Sequence, residues 1–237
     1  MGLQIDHVHA RSGTFELAAD LTISAGTRVA VIGASGSGKS TLLDVIAGFL
    51  PVESGSIRWA GQDITHASPA DRPVSILFQD TNLFPHLSIG QNLALALNPR
   101  TGRLGTGDAE RIADSLTRVG LPGFADRRLS QISGGQQSRA ALARVLLQAR
   151  PVLLLDEPFA ALGPALKAEM LDLVSQVAEA EGMTVLLVSH DPQDARRFAP
   201  QTIVVEAGQV HPPQETVKLL DNPPPGLRAY LGEGHAP

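Results

Sequence analysis

The nine residues Gly33-Ala34-Ser35-Gly36-Ser37-Gly38-Lys39-Ser40-Thr41 carry the clearest chemistry in the chain. Gly, four free positions, Gly, Lys and then Ser is the spacing of a phosphate-binding loop. Its glycines let the backbone curl so that several N–H groups point inward at one phosphate. A helix starting there adds about half a positive charge at the same spot. Lys39 is placed to reach the β- and γ-phosphates, and the Ser40 hydroxyl to ligate magnesium. Asp156 and Glu157 form a second constellation, directly after the apolar run Pro151–Leu155. A carboxylate at the C-terminal end of a parallel strand lies where such sheets bind ligands. Beside a phosphate loop, Asp156 is the expected magnesium holder and Glu157 the group that polarises an attacking water. Ser133-Gly134-Gly135-Gln136 is the third group: Ser133 can cap a helix whose first N–H groups Gly134 and Gly135 leave bare for an anion. Alone, it is a helix start.

These groups need elements to hold them. Thr27–Ile32 reads as a short strand entering the phosphate loop, and Ser40–Ala47 as a helix leaving it, stopped by Gly48. Before them, Leu3–Val8 and Thr14–Ile23 alternate loosely, as antiparallel strands with one wet face do. Glu53–Ser56 reads as a turn, Ser56–Trp59 with Gly61 as a hairpin, and Arg72–Phe78 as a second core strand ending at Gln79. Helical spacing then takes over in Leu87–Leu97, Asp108–Val119 and Gly134–Gln148, with a Gly-rich link at Gly102–Gly107. Pro151–Asp156 and Thr184–Ser189 read as buried strands, Pro164–Ala180 and Asp191–Phe198 as helices, and Thr202–Val210 as a last hairpin. The proline-rich tail reads as surface packing or fraying. Strands alternating with helices give an α/β core interrupted by a mostly helical insertion.

The bulk numbers bound the rest. A hydrophobic fraction of 43% over 237 residues supplies a sizeable core for one large domain. Nineteen basic against 24 acidic residues leave a net charge of -5, which argues against nucleic acid as a partner. With no cysteine, disulfide and thiolate chemistry are excluded. The N-terminus lacks the basic-then-apolar pattern of a signal peptide, and no apolar run approaches the roughly 18 residues of a spanning helix.

Taken together and in this order, the phosphate loop, Gln79, Ser133–Gln136, Leu153–Pro158 and His190 resemble the signature of the ATP-binding-cassette (ABC) family over nearly the whole chain. The resemblance implies a P-loop NTPase fold: a RecA-like core with a mainly parallel sheet, an N-terminal antiparallel β subdomain and a helical subdomain insertion. On that reading, residues 1–81 and 150–237 form the core with its β subdomain, and 82–149 the helical signature subdomain. It implies ATP and magnesium as cofactors, with Ser40, Gln79 and Asp156 at the metal, Glu157 as general base and His190 on the γ-phosphate. Ser133, Gly134, Gly135 and Gln136 would close on ATP held by a second copy, so that two chains sandwich two nucleotides. Phe84–Ser88 and Tyr230-Leu-Gly232 resemble the importer branch, whose partners are transmembrane permease subunits and, indirectly, a periplasmic solute-binding protein. That places the chain peripherally on the cytoplasmic face of the inner membrane. Arg72–Gln79, Asn82–Phe84 and Leu95–Pro99 are similar to the ATPase subunits of bacterial thiamine importers, and the absence of a C-terminal regulatory domain fits them.

Two positions depart from the family pattern. Gly163 stands where the family usually has Asp, so no side chain is available for contacts that this loop makes across the dimer. Near the first strand, His9–Ser12 holds no aromatic for the adenine apart from His9. Arg11 is assigned that contact by guanidinium stacking, with Phe15 as the alternative. Three rivals stay open: an importer ATPase for another small solute, a soluble ABC factor, and a non-hydrolytic module suggested by Gly163.

Overall fold

The computed structural model describes residues 2–78 and 83–231. Its strands are β1 (Leu3–Ser12), β2 (Phe15–Ile23), β3 (Arg28–Ile32), β4 (Ser54–Trp59), β5 (Gln62–Asp63), β6 (Val74–Leu77), β7 (Val152–Asp156), β8 (Thr184–Val188), β9 (Gln201–Glu206), β10 (Gln209–Val210) and β11 (Gln214–Glu215). The helices are α1 (Lys39–Ala47), α2 (Ile89–Leu97), α3 (Asp108–Arg118), α4 (Gly134–Leu147), α5 (Pro164–Glu181), α6 (Pro192–Phe198), α7 (Thr216–Asp221) and α8 (Pro225–Leu231).

The strands order as β5-β4-β1-β2-β10-β9-β3-β8-β7-β6, with β11 pairing β9. Five neighbours, β9-β3-β8-β7-β6, are parallel, while β5-β4-β1-β2 are antiparallel. Short β10 joins the two kinds, parallel to β2 and antiparallel to β9. The parallel strands are mostly apolar because both faces are covered, and strand alternation divides their residues between two cores. Ala30, Ile32, Leu153, Leu155, Val185 and Leu187 face the core shared with α2–α6. Val29, Val31, Leu154, Leu186 and Val188 face the core shared with α1 and the antiparallel strands. Between β6 and β7 the chain is helical: α2, α3 and α4 pack on one another, and α2 starts at a capping box made by Ser88 and Gln91.

α1 has nine residues, too few to be stable alone. Leu42, Leu43, Val45 and Ile46 are fully buried, and each stabilises by about 1.5–3 kcal/mol on burial. Gly48 closes the helix at φ +85°. Arg72, 2% exposed, caps the same end: Nη1 donates to the Val45 and Ile46 carbonyls at 2.7 Å each, and Nη2 to the Thr65 carbonyl at 2.7 Å. Helix α1 is therefore gripped at the end far from the phosphate loop.

The structure corrects three expectations. β1 runs on to Ser12 rather than ending at Val8, because a bulge between Ile5 and Val8 shifts the alternation by one residue, with His7 at φ +46°. Opposite it, Ser54–Ser56 belong to β4 instead of a turn. Gly55 at φ +88° is needed there, since a Cβ would fall 2.4 Å from the His7 carbonyl oxygen. The tail is docked instead of fraying: Leu219, Leu220 and Leu227 are 4, 4 and 2% exposed.

Candidate functional site

β3, α1, β7 and β8 converge on one cleft, lined by the phosphate loop with Phe15, Glu157, His190 and Tyr230. The loop's shape depends on three glycines, two of which also have no room for a Cβ. A Cβ at Gly33 (φ +153°) would lie 2.2 Å from the Val205 carbonyl oxygen, and one at Gly38 (φ +111°) 2.8 Å from the Phe15 ring. At Gly36 a Cβ would meet nothing within 4 Å, so this glycine (φ +76°) serves backbone conformation alone. Lys39 is 7% exposed, and its Nζ donates to the Gly33 carbonyl at 2.8 Å and the Ala34 carbonyl at 2.9 Å. Burial pushes the ammonium below its ordinary pKa, while the charges of Glu157 and Asp156 pull it back up. The loop thus stores a desolvated cation on weak neutral acceptors, which a phosphate can replace.

Ser40 Oγ donates to Asp156 Oδ1 at 3.1 Å, closing α1 against the end of β7. Burial raises the Asp156 pKa; the Ser40 hydrogen bond lowers it, Glu157 raises it and Lys39 lowers it. Asp44, one turn into α1, is also raised by burial and by Asp156. A hydroxyl and a carboxylate oxygen side by side are hard donors that suit magnesium. Among the described residues no group of three or more His, Cys, Asp or Glu is placed to hold a metal ion by itself. Ser37 Oγ is buried without a partner, a polar atom inside the loop still to be satisfied. Loop and donor set therefore both fit a magnesium nucleotide.

Glu157 follows with φ +46°, uncommon for a residue with a long side chain. That conformation costs about 1 kcal/mol or more and is held by the bonds from Glu157 N to the Val188 carbonyl at 3.2 Å and from Ala160 N to the Glu157 carbonyl at 3.1 Å. It brings Glu157 Oε2 to 3.4 Å from His190 Nδ1. His190 stands just past β8, flanked by a buried network absent from the sequence expectations. Ser189 Oγ donates to Asp194 Oδ2 and accepts from Asp191 N at 3.1 Å. Lys167 Nζ of α5 pairs with Asp194 Oδ2 at 2.6 Å and Asp191 Oδ2 at 3.4 Å. The sequence signal for it was an acid in the first turn of a helix that follows a buried strand.

Ser133–Gln136 do not line this cleft. Ser133 caps α4: its Oγ accepts from Gln136 N at 3.3 Å while Gln136 Oε1 accepts from Ser133 N at 3.0 Å. Gly134 is open on its Cβ side, whereas a Cβ at Gly135 would meet Leu166 of α5 at 2.5 Å. Arg11 does not line the cleft either. It pairs with Glu16 at 2.8 Å and Glu53 at 3.4 Å, because both acids lie beside it on the antiparallel sheet. Phe15 is the aromatic whose ring lies against Gly38 of the loop. Gln79, Asn82 and Gly232 lie outside the described residues. Gly163 is exposed at the start of α5 with an ordinary φ of -64° and open space beside it.

A glycine loop between a parallel strand and a helix N-terminus, facing a strand-end acid, defines a phosphate-loop nucleoside triphosphatase. The ABC transporter family model matches residues 18–160. The thiamine import ATP-binding protein ThiQ of Cereibacter sphaeroides is 59% identical over 230 residues, covering 97% of this chain and 99% of the relative. Its namesake in a Ruegeria species is 54% identical with the same coverage. Among solved structures, the dimeric post-hydrolysis state of the ATP-binding cassette MJ0796, bound to ADP and Pi, superposes with a TM-score of 0.75 at 28% identity, covering 90% of this chain and 98% of that one. CbiO1 from Clostridium perfringens, part of the ABC transporter complex cbiONQ, gives 0.81 at 25% identity, covering 92% and 89%. This chain belongs to the ABC transporter family, as one of its ATP-binding, ATP-hydrolysing cassettes. Among the described residues no helix is long and apolar enough to cross a membrane.

Proposed function

We propose that this chain is the ATPase subunit that energises a thiamine importer, working as a pair of copies on the cytoplasmic face of the inner membrane. The observation that carries the enzymatic part is the meeting of Lys39, the Ser40–Asp156 pair and the Glu157–His190 pair in one cleft. Near-complete coverage at 59% identity supports thiamine as the cargo. Substrate choice itself would lie with the permease and a periplasmic binding protein. The dimeric arrangement of the cassette relative supports the pairing of copies.

In this reading Lys39 leaves the Gly33 and Ala34 carbonyls for the β- and γ-phosphates, and the loop N–H groups hold the same oxygens. Ser40 and Asp156 would hold magnesium, with Gln79 a further candidate ligand on the family pattern alone; the ion would supply charge neutralisation on the phosphate oxygens. Glu157 accepts the proton of the attacking water, and His190, against the Glu157 carboxylate, donates toward the γ-phosphate. Phe15 stacks the adenine, since it lies at the loop while Arg11 is committed to Glu16 and Glu53. Residues 82–149 act as the signature subdomain, presenting Ser133–Gln136 to the nucleotide of the other copy.

Phosphate release by the chain with its permease tests the reading. Glu157→Gln removes a general base, a loss of about 100-fold or more, and should leave nucleotide binding intact. Equal release by wild type and variant would defeat the enzymatic claim.

A further inference from the structure

Tyr230 has no part in the chemistry above, yet it lines the same cleft as Lys39, Glu157 and His190. Its hydroxyl donates to the His190 carbonyl oxygen at 2.6 Å, across forty positions of sequence. His190 is exposed, so its carbonyl could take water as a partner; the last described helix supplies a fixed one instead.

The residues on either side of His190 are fastened close to home, through Ser189 Oγ, Asp194 and Lys167. Tyr230 reaches His190 from outside that loop, on a tail that is itself anchored. Thr216 and Thr202 share a buried hydrogen bond at 2.8 Å, Leu219 and Leu220 fill the core, and Leu227 is 2% exposed. Gly226 abuts the Glu206 carboxylate, where a Cβ would fall 2.2 Å from Oε1. The phenol therefore arrives from a fixed base. By binding the carbonyl, it takes up no imidazole nitrogen, and Nδ1 faces Glu157 Oε2 at 3.4 Å. Burial first, then the charges of Glu157 and Asp191, raise the Tyr230 pKa, so the hydroxyl keeps the proton it donates.

We propose that Tyr230 is a positioning residue for ATP hydrolysis: from α8 its hydroxyl holds the His190 carbonyl and thereby fixes where the imidazole stands against Glu157 and the γ-phosphate. The proposal rests on the role given to His190 above. Tyr230 is not a catalytic residue, because it reaches the reacting atoms through His190.

Tyr230→Phe deletes the hydroxyl and keeps the ring. In the full-length chain, one hydroxyl-to-carbonyl bond corresponds to about a three- to tenfold loss in the single-turnover rate with magnesium ATP. Affinity for a fluorescent ATP analogue should stay within about twofold and melting within about 3 °C. The diagnostic readout is the double variant: in a His190→Ala background, Tyr230→Phe should cost nothing further. A Tyr230→Phe chain at the wild-type rate, with His190→Ala impaired, overturns the proposal and leaves the proposed function standing. An equal loss in the His190→Ala background, or a parallel loss of nucleotide affinity, also overturns it, because the phenol would then act on packing or on ATP. If His190→Ala alone hydrolyses ATP at the wild-type rate, the role of His190 fails and takes this proposal with it.

Discussion

Two helix starts in this molecule carry glycines, and they are finished to different degrees. At α1 the loop is closed around its own cation, with Lys39 buried on two carbonyls and Gly33 and Gly38 wedged against Val205 and Phe15. At α4, Ser133 and Gly134 are exposed, and the capping box turns Ser133 Oγ toward its own helix. A serine oxygen that accepts from Gln136 N still has its hydrogen to give. One site is complete within the chain; the other is a satisfied surface with spare donors. Such a pair separates holding a nucleotide from acting on it, since the first needs one chain and the second needs two in the dimer proposed above.

The largest effect that can break this comparison concerns binding. Lys39→Ala should weaken binding of a fluorescent ATP analogue to the isolated chain by about 100-fold or more, the scale of losing a charged donor in a desolvated site. Ser133→Ala should leave that affinity within about twofold and slow hydrolysis about tenfold, the scale of one charge-assisted hydrogen bond. Equal losses of affinity would mean that both turns serve one nucleotide in one chain.

A second test concerns the charge stored in the finished site. Asp156 has a raised pKa in the folded chain, so the native state holds that proton more tightly than the unfolded state. Without nucleotide or magnesium, its contribution to stability therefore falls as pH rises through the raised value, with Asp44 acting in the same direction. Asp156→Asn should flatten that dependence and raise melting at neutral pH by roughly 2–4 °C, the equivalent of about 1 kcal/mol, while losing magnesium-dependent hydrolysis. A drop in melting temperature would show that the carboxylate supports the apo fold.

Legibility in the sequence followed how local the cause was. The strand, loop and helix around Lys39 are dictated by neighbours in sequence, and their bounds differ from expectation by about one residue. Asp156-Glu157 and His190 were placed correctly at strand ends because apolar runs show where parallel strands stop. What escaped depends on distant partners. The bulge at His7 needs Gly55 across the sheet, Lys167 of α5 needs Asp194 of α6, and Tyr230 needs His190. α7 and α8, six and seven residues long, are too short to carry a period and are held as helices by burial of Leu219, Leu220 and Leu227. Arg11 illustrates the converse: its charge suggested an adenine, and two neighbouring acids take it up.

The smallest effect belongs to Gly163, the departure that looked most serious in the sequence. Its backbone is ordinary and the space beside it open, so Gly163→Asp should fit and cap α5, for a gain of a few tenths of a kcal/mol. Melting should rise by about 1 °C. A clear loss would show that the loop cannot accept a side chain there.

Gly135 has a mechanical meaning as well. Leu166 occupies the place of its missing Cβ, so the first turn of α4 rides directly on the first turn of α5. That contact is a seat: it holds the helices between β6 and β7 hard against the core, with no spacer between α4 and α5. A methyl group there is a shim. It wedges α4 off α5, whose first turn follows directly from the loop that carries Glu157 and Gly163.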